Sequence, residues 1–188
     1  SSLDTVTQYE LWKAIWSSIR DRNLWELAWA LQRHAAFCEE FVPQTFVGNH
    51  DVDRIASLIG DSGAALAAVL LFTLPGLPSI YYGDERAFRG VKGTGFRADE
   101  PLRPELPDSP DALRGGEWLQ ALYTDAVGVR RRNPWLTRGA VCVTAKENLA
   151  MTYRVAGEGR VADVAVQLDP ASVSVTIDGA SALVWKSS

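Results

Sequence analysis

Cysteine is scarce in this chain of 188 residues: Cys38 and Cys142 stand far apart, without C-x-x-C spacing. That excludes a disulfide framework and a thiolate metal site, and free thiols favour a reducing, cytoplasmic compartment over a secreted one. Charge of one sign is also lacking. Lys and Arg number 19 against 23 Asp and Glu, a net −4, which gives no electrostatic case for nucleic acid. The basic triplet Arg130-Arg131-Arg132 stands alone, at the end of a helical pattern where cations suit the helix dipole. Long apolar runs are absent too. The longest, Ala64 to Leu74, is well short of the roughly 20 residues a helix needs to cross a bilayer, so no membrane partner is expected. The opening Ser1-Ser2-Leu3-Asp4 has no leader pattern and reads as a point inside a longer chain. Histidine is limited to His34 and His50.

What is present is centred on Thr45-Phe46-Val47-Gly48-Asn49-His50-Asp51-Val52-Asp53-Arg54. A short β-prone run ends in two carboxylates, an imidazole, an amide and a guanidinium. A buried strand that closes on such a cluster is what a parallel α/β sheet offers at its C-terminal edge. The plain alternative is that Asp51 or Asp53 caps the helix whose first apolar residues are Ile55, Leu58 and Ile59. One of only two histidines inside the cluster argues for more than capping.

Before this stretch, Leu3 to Leu11 has the composition of a strand, and Leu11, Trp12, Ile15, Trp16 and Ile19 recur at helical spacing. Asn23 and Glu26 form a capping-box pattern for a second helix with a stripe of Leu24, Leu27, Ala28, Leu31, Ala35 and Cys38. His34 borders that stripe and reads as a packed histidine. Pro43 ends the helix. After Arg54, a helical turn meets Gly60-Asp61-Ser62-Gly63, then the apolar helix Ala64 to Leu74, stopped by Pro75-Gly76. A second β-prone run, Leu77 to Tyr82, ends in Gly83-Asp84-Glu85, which completes a βαβ unit. Phe88 to Asp108, rich in glycine, proline and arginine, reads as a long loop over a strand end. A helix around Trp118 to Val129 follows. From Gly139 onward five runs alternate at period two, with an Asp178-Gly179 hairpin turn between the last two. Residues 1–136 are therefore expected to be α/β, and 137–188 a small antiparallel β-sandwich-like domain.

Two motifs support a resemblance. Phe46-Val47-Gly48-Asn49-His50-Asp51 and Gly76-Leu77-Pro78-Ser79-Ile80-Tyr81-Tyr82-Gly83-Asp84-Glu85 closely resemble two sequence regions of the α-amylase family of glycoside hydrolases, in the right order. The resemblance implies the C-terminal portion of a TIM (β/α)8 barrel, about strands six to eight with their helices, followed by the β domain. Strand six would be Leu3 to Glu10, strand seven Thr45 to Gly48 and strand eight Pro78 to Tyr82. It further implies retaining hydrolysis or transfer at α-glucosidic bonds, with an α-glucan or maltooligosaccharide as partner. By match to the motif, Asp51 would be the carboxylate that stabilises the transition state, with His50 bonding the sugar. Asn49 would support the loop and could reach sugar. Arg54 could bind ligand, but is rather expected to pair with Asp51 or Asp53. Tyr82, counted with the substrate-binding residues, is expected to shape the strand-eight end rather than to do chemistry, and Arg103 resembles an arginine placed near the non-reducing end. The family's nucleophile and acid/base lie on strands four and five, for which no segment is found here, so the chain alone is expected to be inactive. No cofactor or metal is assigned to these residues; a calcium ion would belong to the full-length enzyme. Open barrel edges imply a homodimer or a complementing N-terminal fragment. The competing reading is a catalytically dead relative kept for carbohydrate binding or assembly.

Overall fold

The computed structural model describes residues 4–187. Four helices and seven strands follow in order: α1 (Tyr9–Arg20), α2 (Trp25–Glu40), β1 (Gln44–Phe46), α3 (Ile55–Thr73), β2 (Leu77–Ser79), α4 (Glu117–Arg132), β3 (Ala140–Lys146), β4 (Ala150–Gly157), β5 (Arg160–Leu168), β6 (Ala171–Ile177) and β7 (Ala180–Lys186).

The strand expected over Leu3 to Leu11 is reduced to one parallel bridge, Thr7 to Gln44. Residues 1–3 lie outside the described part, and from Tyr9 the chain is already helical. The reason lies in the periodicity: Leu11, Ala14, Ile15, Ser18 and Ile19 bury one helical face, and that burial outweighs the β-propensity of the few residues before it. The capping box is half realised. Asn23 Oδ1 accepts the Trp25 N–H at 3.1 Å, whereas Glu26 turns to Lys13 and to the Ser17 hydroxyl (2.7 Å).

β1 and β2 pair in parallel, Gln44 with Leu77 and Phe46 with Ser79, and α3 is their crossover. Alternation sorts their side chains. Val47 joins the helix-packed core, while Gln44, Phe46 and Gly48 line a cleft on the other face with Thr7 and Ser79. Phe46 is covered by Tyr9 and Trp12, with centroids at 4.9 and 5.8 Å. α3 has the length and composition of a membrane-crossing helix, yet Ala64 to Thr73 is buried inside this fold. It is kinked at Gly60, whose φ of 69° only glycine adopts without strain.

The C-terminal strands form one five-stranded antiparallel meander in the order β3-β4-β5-β6-β7. This corrects the sandwich expectation: the described residues from Ala140 onward form one sheet, and the helices take the place of the second layer. Val141, Met151, Tyr153, Val155, Val164, Val166, Val173 and Val175 share a single core with α1 to α4. Buried Tyr153 and Thr73 join hydroxyls at 2.5 Å across the junction. Arg130 lies in the last turn of α4, the helix end expected for it, and is 8% exposed; it donates to the carbonyls of Phe72, Leu74 (2.6 Å) and Gly76, where α3 ends. Burial pulls its pKa down to about 10, so it still carries its charge at neutral pH.

Candidate active site at the end of the first parallel strand

Beyond Phe46 the backbone leaves the sheet, and the polar cluster occupies the turn before α3. Asn49 organises it. Its Oδ1 accepts the Asp51 N–H at 2.8 Å, an Asx turn, and its Nδ2 donates to the Tyr9 hydroxyl at 3.0 Å. Neither aspartate caps α3: Arg54 is the N-cap residue, with no side-chain cap bond. Asp53 Oδ1 accepts the Lys92 N–H at 2.6 Å. The capping alternative is thereby excluded.

Asp51 keeps 49% of its side chain exposed, and its oxygens are divided between two bases. Oδ2 is 3.3 Å from His50 Nε2, and Oδ1 is 3.3 Å from Arg103 Nη2. Arg103 also donates through Nε to the His50 carbonyl (3.2 Å) and through Nη2 to Asp99 Oδ2 (3.0 Å). Lys92 Nζ donates to the Asp51 carbonyl at 3.2 Å and lies 2.9 Å from Asp99 Oδ1. Two cations and two carboxylates thus enclose the turn. The Lys92 ammonium, with Arg103 and His50 adding to it, holds the Asp99 carboxyl below its usual range. Asp99 was not foreseen from the sequence, although its position four residues before Arg103 is the signal that would have found it.

Arg54 is the main correction. It is fully buried and pairs with Asp84 rather than Asp51 or Asp53, so it has no surface for a ligand. Nη1 lies 2.9 Å from Asp84 Oδ1 and donates to the Tyr82 carbonyl at 2.6 Å, while Nε donates to the Leu102 carbonyl at 3.0 Å. The Tyr81 ring lies 4.1 Å away. One side chain thereby fixes the ends of both parallel strands and the residue before Arg103. Burial pushes the Asp84 carboxyl up to about 6, against the pull of Arg54. The close packing also explains Gly48: a Cβ there would stand 2.0 Å from Asp84 Oδ2.

Tyr82 faces the loop, where its hydroxyl donates to the Pro104 carbonyl at 2.8 Å. Tyr81, its neighbour, lines the strand-end cleft of about 270 Å³ together with Tyr9, Asn49 and His50. Burial, then the bond with Tyr82, raises the Tyr81 pKa. His34, far from this cluster, is the packed histidine expected, with Nε2 3.0 Å from the Pro75 carbonyl. Among the described residues no three His, Cys, Asp or Glu side chains gather as a metal site.

Two parallel strands joined by a helix, with a half-exposed carboxylate beyond the end of the first, are arranged as at the C-terminal face of an α/β barrel. Residues 5–147 match the family model "Alpha amylase, catalytic domain", and the chain belongs to the α-amylase family. It is 28% identical to the 4-alpha-glucanotransferase of Thermotoga neapolitana over 189 aligned residues, covering 84% of this chain and 41% of that protein. The fold is that of an Anoxybacillus α-amylase (TM-score 0.75, 20% identity, 98% of this chain and 45% of the other). It is equally that of the Geobacillus thermoleovorans α-amylase solved with acarbose (TM-score 0.71, 19% identity, 98% and 46%). The chain therefore spans less than half the length of these relatives.

Proposed function

We propose that this chain supplies the strand-seven and strand-eight side of a retaining α-glucan site, in an enzyme that hydrolyses or transfers α-glucosidic bonds. The observation that carries the reading is the Asp51 carboxylate, half exposed at a strand end and oriented by Arg103, His50 and the Asn49 turn. A carboxylate so held can accept bonds from sugar hydroxyls that strengthen as the ring flattens toward an oxocarbenium ion. His50 adds a ring nitrogen toward the same ring, and Arg103 adds a guanidinium donor. Asn49 acts as the positioning residue for both His50 and Asp51.

Retaining chemistry needs a nucleophile and a proton donor besides Asp51. The nearby carboxylates are already committed, Asp53 to the Lys92 amide and Asp99 to Lys92 and Arg103. In this proposal both missing groups come from outside the 188 residues and approach along the free flanks, where Val6, Leu77 and Ile80 are about half exposed. The intact Asp51, His50 and Arg103 constellation favours this reading over a purely structural relative.

The test is maltoheptaose binding and turnover by the purified chain and by Asp51→Asn. We expect no turnover from either, and binding weakened about 10- to 100-fold in Asp51→Asn, as suits bonds to a charged acceptor. Glucose release by the chain alone would refute the division of groups, and equal binding by the variant would remove Asp51 from the site.

A further inference from the structure

Two tryptophans meet at a second cleft, where the last strand of the meander reaches the helices. Alternation along β7 turns Trp185, like its register partner Val173, to the helix-covered face of the sheet. β7 is an edge strand, so among the described residues no further strand lies beside Trp185, which rests part of its surface on the common core. In the first turn of α4, the stripe that buries Leu119 and Leu122 leaves Trp118 42% exposed. α3 contributes Asp61 and Ser62, immediately after its kink at Gly60. The cleft between these elements has a volume of about 410 Å³ and is lined by Asp61, Ser62, Trp118, Trp185, Lys186 and Ser187. None of these residues belongs to the strand-end cleft or to the Asp51 cluster.

The lining selects the kind of ligand. The indoles bring flat apolar surface and N–H donors, Ser62 a hydroxyl that donates and accepts, and Lys186 an ammonium donor. Asp61 accepts, and its charge is already answered by Arg89 Nη2 at 2.6 Å. An anion would meet the Asp61 carboxylate, and a cation would find that carboxylate taken. A neutral pyranose unit carries C–H groups on its face and hydroxyls on its edge, and so suits both the aromatic and the polar parts of the wall. The volume is that of a small-ligand site.

We infer that this cleft is a second carbohydrate site, separate from Asp51, that takes a short stretch of α-glucan with Trp118 and Trp185 as its apolar walls. The choice of an α-glucan rests on the functional reading above; the cleft itself uses no residue of that site. A long glucan that reaches both points gains avidity without any new contact at Asp51.

The experiment follows the N–H signals of the intact, nitrogen-15-labelled chain by NMR as maltotriose is added. The Trp185 indole reports on the cleft, and the backbone amides of Asn49 and His50 report on the Asp51 site. The wild type is compared with Trp118→Ala, Trp118→Tyr and Asp51→Asn. Trp118 is exposed enough that Trp118→Ala should leave thermal unfolding unchanged. The Trp185 signal should move with maltotriose, Trp118→Ala should weaken that titration roughly three- to tenfold, and Trp118→Tyr should restore most of the loss. Asp51→Asn should leave the Trp185 titration as it is and weaken that of Asn49 and His50. A Trp185 signal that stays still while Asn49 and His50 move would overturn the second site and leave the functional reading standing. So would a Trp185 titration that Trp118→Ala does not alter. A Trp185 titration weakened by Asp51→Asn would overturn the separateness of the two sites, and competition by inorganic phosphate would overturn the neutral sugar as ligand. Movement of Trp185 with Asn49 and His50 silent would keep the cleft and sink the reading at Asp51, and silence at both would sink the two together.

Discussion

Replacing Arg54 with methionine isolates what holds the site together. The substitution keeps the buried stem and deletes a guanidinium that satisfies Asp84 and the carbonyls of Tyr82 and Leu102. Asp84 is then left 1% exposed with no cation, and its Oδ2 has no partner even now. Removing one member of such a pair costs about 3–5 kcal/mol, because the other charge stays buried. With a urea slope near the upper end of about 1–3 kcal/mol/M, the unfolding midpoint at pH 7.5 falls by about 1–2 M. The pH dependence carries the cause. The Asp84 carboxyl titrates at about 6 in the fold against 3.8 for an ordinary aspartate, so the native state holds the extra proton between those values. Its contribution to stability is therefore greatest at acid pH and is lost as pH rises through 6. Without Arg54 that window extends upward, and the deficit of Arg54→Met should be smaller at pH 5 than at pH 7.5. The double variant Arg54→Met/Asp84→Leu should recover more than half of it. A midpoint shift below about 0.3 M, equal at both pH values, would refute the reasoning.

Gly48→Ala should destabilise by about 1–3 kcal/mol, since its Cβ would meet a carboxylate fixed in an ion pair; an unchanged urea midpoint would contradict this. His34 gives the opposite pH trend from Asp84. Burial lowers its pKa, its Nδ1 has no partner, and its neighbour is the Cys38 thiol, itself pushed up to about 11. The unfolded chain thus binds the proton more readily, so stability contributed by neutral His34 is complete above pH 6.5 and falls as pH drops below it. His34→Gln should flatten that part of the thermal-unfolding profile, and an unaltered slope would exclude His34 as its source.

Much of this protein was legible from local pattern. The helical stripe of α1, the apolar run of α3, the period-two strands and the Asp178-Gly179 turn each express a preference carried by neighbouring residues. The two strand-end motifs identified the family, which the match over residues 5–147 shows. The sequence also placed Asn49, His50 and Asp51 together, because adjacency along the chain cannot be undone by folding. Partners distant in sequence were another matter. Arg54 lies one residue from Asp53 and three from Asp51, yet folding carries it to Asp84, 30 positions away, where the buried carboxylate has lost its water and needs a cationic partner more than the solvated aspartates do. The second β layer anticipated after residue 137 does not form among the described residues, because α2, α3 and α4 already cover the apolar face of the meander. Arg103 was placed near substrate from its motif, but only the fold shows it shared between Asp51 and Asp99. Local sequence determined the elements and the chemistry available at a strand end; tertiary packing decided which charges meet, since that depends on which groups lose their water together.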